Sequence, residues 1–250
     1  VSRRHSRDDP DFRSRSRLLR RLERIDWTAA AASLEARGYA RLPGLLGARE
    51  CTGLIRLWEK EDRFRSQVDM ERHGFGRGVY RYLAAPLPEP VASLRELLYP
   101  PLALIANRWQ QRLGLAERFP GKLGDFLHRC GQAGQQQPTP LLLRYQAGDF
   151  NRLHQDRYGA VAFPLQVAIL LSHPAVEFEG GEFLLVEQRP RLQARGTAVA
   201  LARGEGLIFP NQTRPVDGRR GVSRLQVRHG VSELQWGLRM TLGLIFHDAR

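Results

Sequence analysis

The sequence is poor in cysteine, poor in lysine and free of long apolar runs, and each shortage removes a class of protein. The two cysteines, Cys51 and Cys130, lie far apart and in no ligand motif. This excludes a disulfide framework and a cysteine-built zinc site, and it fits a reducing cytoplasm. No stretch approaches the roughly 18 apolar residues that a membrane-spanning helix needs. The start, 1–24, is Arg-rich and lacks the apolar run of a secretion signal. A cytoplasmic chain that does not enter membranes is expected, long enough at 250 residues to bury one sizeable core.

Lysine is nearly absent: only Lys60 and Lys122 stand among 39 basic residues, and the formal net charge is +13. Residues 1–24 hold nine arginines against four acids, a net of +5, so +8 belongs to the remainder. Clustered cations displace the counterions of a phosphate backbone, which makes nucleic acid an expected partner. The preference for Arg, beside abundant Ala, Gly and Pro, is also what genomic base composition alone produces.

Residues 1–17 alternate Arg, Ser and Asp without apolar periodicity and read as a disordered basic tail. From Leu18 to Arg37 apolar residues recur at helical spacing, up to a stop at Gly38. Two further helices are expected at 48–61 and 91–113, with Trp27, Trp58 and Trp109 on buried faces. Pro100 and Pro101 should kink or split the second of these. A shorter helix at 123–130 leads into the loop GQAGQQQPTP. After Pro140 come six short runs of strand character, 141–145, 160–171, 182–186, 206–209, 223–228 and 240–246, separated by turns. The expected fold is α+β, with a helical support region at 18–140 and a β-sandwich or barrel at 141–250, packed as one domain.

In RYQAGDFNRLHQDRYG, His154 and Asp156 sit two apart near the end of an expected strand, which turns both side chains to one face. An imidazole and a carboxylate so placed, joined by a second His, form the facial triad that holds non-haem Fe(II) and leaves positions open. His5 lies in the tail, His73 and His128 in the helical half, and His173 in a turn, leaving His229 and His247. His229 opens HGVSELQWGLRMTLGLIFHD, and Arg239 follows ten residues later. In a double-stranded β-helix that spacing lets Arg239 reach a dicarboxylate chelated to the iron. Thr241, two residues on, faces the same way and can donate its hydroxyl. His247 with Asp248 reads as a cap on the last strand, and Trp236 as a neighbour of the site.

These residues resemble the Fe(II)- and 2-oxoglutarate-dependent dioxygenases, whose pattern is met by His154, Asp156, His229, Arg239 and Thr241. The resemblance covers about 141–248. It implies a C-terminal double-stranded β-helix, a jelly roll of cupin type, with N-terminal supporting helices and with Fe(II) and 2-oxoglutarate as cofactors. The stretch LLLRYQAGDFNRLHQD also resembles AlkB-type nucleic-acid demethylases, which implies that Tyr145 contacts 2-oxoglutarate; as a strand aromatic it can equally pack in the core. With HGFGRG, RHGVS and GLIFHDA, the chain is similar to a bacterial oxygenase family proposed to demethylate damaged bases. Two AlkB positions differ: Leu143 replaces an Asn, and Ile245 replaces a second Arg that Arg224 or Arg228 would have to supply.

The resemblance implies oxidative demethylation of alkylated nucleobases in DNA or RNA, releasing succinate, carbon dioxide and formaldehyde. Alternatives are a prolyl-hydroxylase-like enzyme acting on a peptide or small molecule, and a non-catalytic nucleic-acid-binding module. Between 72 and 82, His73, Phe75, Arg77, Tyr80 and Tyr82 are interleaved with three glycines. Rings and guanidinium groups stack on unpaired bases and hold phosphates, so this segment is either a substrate lid or a hairpin covering the β-core.

Overall fold

Alternation at period two decides how the sheets are layered. In LQVAIL, Leu165, Val167 and Ile169 face one apolar cluster while Ala168 and Leu170 face another. Only a strand covered on both sides is buried in that way. The computed structural model describes residues 10–156, 159–189, 192–218 and 221–250. Its helices are α1 (Pro10–Leu22), α2 (Trp27–Arg37), α3 (Ala48–Arg56), α4 (Val91–Arg112) and α5 (Leu123–Gln132). The strands among and before the last two helices are β1 (Ala40–Leu42), β2 (Phe64–Asp69), β3 (Gly76–Arg77) and β4 (Val79–Leu83). After α5 come β5 (Leu141–Gln146), β6 (Phe150–His154), β7 (Leu165–Leu170), β8 (Phe178–Gly180) and β9 (Phe183–Gln188). The last five are β10 (Arg195–Val199), β11 (Gly206–Pro210), β12 (Thr213–Gly218), β13 (Gly221–Val231) and β14 (Leu234–Leu244).

The larger sheet runs β1-β11-β7-β14-β5-β4-β2, with β8 on the outer end of β14. The smaller runs β10-β9-β13-β6-β3, with β12 also paired to β13. The outer face of the larger sheet, through Leu142, Met240, Leu242 and Leu244, packs on the helices. Its inner face meets the smaller sheet through Leu207 and Phe209 against Phe183, Leu185 and Val227. This is the expected double-stranded β-helix with supporting helices. Among the described residues no helix is long and apolar enough to cross a membrane.

Four expectations change. Residues 1–9 of the expected disordered tail lie outside the described residues, and 10–17 belong to α1, where Leu18 and Leu22 bury against α4. The single helix at 18–37 is two, because Asp26 accepts the Ala29 N–H at 2.9 Å and caps α2, ending the preceding turn. The region 18–140 is not helical throughout: beside β1, where YARLPGLL reads as a short strand and turn, β2 and β4 extend the larger sheet and β3 the smaller. Pro100 and Pro101 do not split α4. A helix-interior proline costs about 3 kcal/mol, but Leu94, Leu98, Tyr99, Leu102, Ile105 and Trp109 are all buried along α4. At about 1.5–3 kcal/mol per large apolar side chain, that burial outweighs both prolines.

The end of the chain is tied into the core. Arg95 of α4 is buried and donates to the carbonyls of Ile245 at 3.1 Å and Phe246 at 3.0 Å and to Asp248 Oδ1 at 2.6 Å. His247, just beyond the end of β14, is fully buried, and its Nδ1 accepts the Phe163 N–H at 3.1 Å. Burial, reinforced by the charge of Arg95, lowers the His247 pKa from 6.5 to about 4. Between those values the unfolded chain binds a proton that the folded chain refuses. The stabilisation is therefore full above about 6.5 and is lost as pH falls toward 4, by about 3 kcal/mol at most. Denaturant titrations of wild type and His247→Asn from neutral to acid pH should show a shallower acid loss in the variant; parallel curves would refute this origin.

Candidate active site

The two sheets each contribute half of one cavity. On the smaller sheet, β13 pairs with β6 so that His229 lies directly opposite His154. Strand β6 ends at His154, and Asp156 stands two residues beyond it rather than within the strand. The three side chains nevertheless converge: one ligand atom from each lies within 4.8 Å of the others. Asp156 Oδ1 is 3.5 Å from His154 Nε2, and Oδ2 is 3.2 Å from His229 Nε2.

Neighbouring groups orient this set. The Nδ1–H of His154 donates to the Arg152 carbonyl at 2.7 Å, which leaves Nε2 as the lone-pair nitrogen. His229 packs in a cluster with two phenyl rings, parallel to Phe183 with 5.9 Å between centroids and tilted to Phe209 at 4.7 Å. Gln166, from β7 of the opposite sheet, donates to Asp156 Oδ2 at 2.7 Å. Burial pushes the Asp156 carboxyl pKa up, but His229, His154 and Gln166 pull harder, and the result lies well below the ordinary carboxylate range. Burial and the neighbouring His229 lower the His154 pKa, so the imidazole is neutral near pH 7. A nitrogen from each of two imidazoles and an ionised carboxylate together suit Fe(II).

The larger sheet supplies a cation. Arg239 and Tyr145 are cross-strand neighbours on β14 and β5, and Thr241 follows Arg239 on the same face. Met240 between them faces the helices, so the alternation of β14 alone aims both polar side chains inward. Arg239 is 2 % exposed. It donates from Nη1 to Thr241 Oγ1 at 2.8 Å, while its Nε has no hydrogen-bond partner. No carboxylate lies within ion-pair distance of it among the described residues. A guanidinium so buried and so poorly matched fits a carboxylate ligand. The Tyr145 hydroxyl, its pKa pushed up to about 12 by burial, stays protonated and lies 3.4 Å from Asn151 Nδ2. Gly78 makes room for that ring: a Cβ there would stand 2.9 Å from Tyr145 Cδ1.

All six residues line a cavity of about 280 Å³. Of the segment 72–82, Phe75 and Tyr80 also line it; His73, Arg77 and Tyr82 do not. His73 stacks on Phe75, Arg77 faces Glu71 at 3.5 Å, and Tyr82 packs with Leu141 and Ile245. The segment thus carries the chain from β3, at the edge of the smaller sheet, to β4 of the larger, and forms part of the cavity rim on the way. Arg224 and Arg228 are exposed on the face of β13 opposite His229 and cannot replace the cation lost at Ile245. Trp236 is 42 % exposed on β14 and does not reach the cavity. Gln166 was not singled out in the sequence, although a lone amide in LQVAILL was a visible signal. Phe183 and Phe209 carried none, since strand aromatics usually belong to the core.

Solved structures share this architecture. A prolyl-4-hydroxylase of Pseudomonas putida is 15 % identical, with a TM-score of 0.52 over 90 % of this chain and 99 % of that one. A prolyl hydroxylase of Trichoplax adhaerens, solved with a hypoxia inducible factor peptide fragment, is 13 % identical, with a TM-score of 0.50 over 93 % of both chains. At such identities the likeness concerns the fold. Combined with the His-Asp-His set and the buried arginine, the fold defines an Fe(II)- and 2-oxoglutarate-dependent dioxygenase. Residues 78–249 match the model of a family described as an oxygenase catalysing oxidative methylation of damaged DNA, and the chain belongs to that family. Two uncharacterized proteins of Mycobacterium tuberculosis, from strains CDC 1551 and H37Rv, are each 50 % identical over 164 residues, 66 % of this chain and 70 % of theirs.

Gln166→Leu should lower Fe(II) affinity by about 10–100-fold, the usual cost of losing a group that orients a metal ligand. Anaerobic metal titration measures it, and unchanged affinity would show that Gln166 does not hold Asp156 for the metal.

Proposed function

We propose that this chain oxidatively demethylates alkylated nucleobases, DNA foremost. The observation that carries the reading is the meeting, in one cavity, of the three metal-ligand candidates, the carboxylate-seeking Arg239 and an aromatic, apolar wall. His154, Asp156 and His229 would hold Fe(II); Arg239 and Thr241 would hold the far carboxylate of 2-oxoglutarate, with Tyr145 beside them. When bound, the two cofactors convert dioxygen and 2-oxoglutarate into succinate, carbon dioxide and one oxygen atom delivered to a substrate C–H bond.

The chain's own residues then have three tasks. Gln166 and the Arg152 carbonyl keep Asp156 and His154 in ligand geometry. The alternation of β14 keeps Arg239 and Thr241 on the cavity side. Tyr80, Leu143 and Ile245 line an apolar wall, with Phe75 at its rim, that suits a flat base better than a charged peptide. A base taken from a duplex has to leave the stack to reach that wall, at a cost of a few kcal/mol.

Hydroxylation of an N-methyl group gives N–CH2OH, whose C–N bond breaks to leave N–H and formaldehyde. Attaching a methyl group would need a methyl donor, which neither dioxygen nor 2-oxoglutarate is, so the damaged-DNA chemistry of the family is read here as methyl removal. Ile245, where AlkB-type enzymes have an arginine, keeps peptide hydroxylation as the competing outcome.

The test is anaerobic loading with Fe(II) and 2-oxoglutarate, then oxygen, measuring succinate and formaldehyde with and without a methylated single-stranded oligonucleotide. Methylation-dependent formaldehyde is expected; succinate indifferent to the oligonucleotide would move the substrate to a peptide or small molecule. His154→Ala and His229→Ala should abolish iron-dependent turnover. Arg239→Ala should raise the 2-oxoglutarate KM by about 10–100-fold, the loss of a hydrogen-bonded charge partner. Wild-type kinetics in all three would reject these roles.

A further inference from the structure

Phe75 differs from every other exposed large apolar residue among the described residues. It is 47 % exposed, and it alone among them lines the cavity. Its ring is also already stacked: His73 lies nearly parallel to it, with 5.4 Å between centroids and 21° between planes. His73 does not line the cavity, so the stack extends from the rim outward.

The backbone beneath this pair is fixed. The Phe75 N–H donates to the Met70 carbonyl at 2.9 Å, and its carbonyl accepts the Arg152 N–H at 2.8 Å. Gly76, in the next position, pairs with Asn151 at φ 135°, and a Cβ there would stand 2.3 Å from the Phe150 carbonyl oxygen. Only glycine permits this approach of β3 to β6. The ring is thus held out at the rim by an ordered strand, which lowers the entropy lost when something stacks on it.

The charges nearby are unequal in availability. Arg72 and Arg77 face Asp69 and Glu71, each at 3.5 Å. Arg152 is exposed, its guanidinium stands 5.7 Å from the Phe150 ring, and no carboxylate pairs with it among the described residues. The cavity, an outward aromatic stack and a cation therefore adjoin one another along β3 and β6.

We infer that the Phe75–His73 stack is a platform for the base next to the one in the cavity, with Arg152 meeting the phosphate between them. The inference rests on the nucleobase reading above and deepens it: the substrate is a nucleic-acid strand with at least one neighbouring unpaired base, not a free nucleotide.

Wild type, Phe75→Leu, Phe75→Trp and His73→Ala are compared on a short N-methylated DNA single strand and on the matching methylated mononucleotide, following formaldehyde. Binding of an unmethylated strand carrying 2-aminopurine is followed separately by fluorescence quenching. Phe75→Leu should lower kcat/KM on the strand about tenfold, mainly through KM, the usual effect of removing one base–aromatic stack. The loss should be clearly smaller on the mononucleotide. Phe75→Trp should restore the strand preference, and His73→Ala should weaken it. Equal losses on both substrates, or none, would overturn the platform. If wild type demethylates neither substrate, the nucleobase reading fails, and the 2-aminopurine signal decides: quenching that Phe75→Leu removes sustains the platform, and absence of quenching ends it.

Discussion

The buried carboxylate of Asp156 is the constraint around which the site is built. Removing a carboxylate from water costs several kcal/mol unless charge or hydrogen bonds replace the lost solvation. Here the replacement comes from both sheets: His154 and His229 from the smaller and Gln166 from the larger. The ionised state survives burial only while these elements stay in register. Arg239 is the opposite case within the same cavity, a buried cation whose only side-chain hydrogen bond among the described residues is to the neutral Thr241 hydroxyl. In the proposed assignment one wall would offer an anion to a metal ion and the other a cation to a dicarboxylate. Each ligand matches the protein group it meets, and binding either stabilises the fold by mass action.

This division explains why the site was legible in the sequence. His229, Arg239 and Thr241 stand on strands, whose side-chain period is fixed, and Asp156 follows His154 closely just past the end of β6. What escaped was set by contacts across elements. Gln166 matters because β7 passes in front of Asp156, which no spacing within LQVAILL announces. The strand at 64–69 was missed because RSQVD alternates weakly and exists by pairing with β4, which in turn pairs with β5. Pro100 and Pro101 misled because local propensity forbids what burial along α4 permits.

The rim has the same logic at smaller scale. Tyr80 is a cross-strand neighbour of Leu143, and Tyr82 of Leu141, so the β4–β5 pairing lays an aromatic row beside an aliphatic one. Ile245 completes the apolar cluster with Tyr82 and Leu141. An arginine at 245 would place a second charge against these groups, so isoleucine leaves this wall apolar. On the proposed nucleic-acid reading a cation for phosphate would come from outside the cavity lining, where Arg152 stands.

That placement changes the meaning of the net charge of +13. Much of the arginine is structural: Arg95 holds Asp248, Arg214 holds Glu187, Arg41 holds Glu205 and Arg21 holds Glu50. Arginine suits these tasks because its planar fork meets a carboxylate or several carbonyls at once, as Arg95 does. Such residues cannot also neutralise phosphates. On the nucleobase reading proposed above, the electrostatic footprint is therefore a subset of the arginines, one that includes exposed Arg152 on β6 and Arg224 and Arg228 on the outer face of β13. A total charge counts every arginine alike, whereas a backbone phosphate meets only those that the fold has not already used.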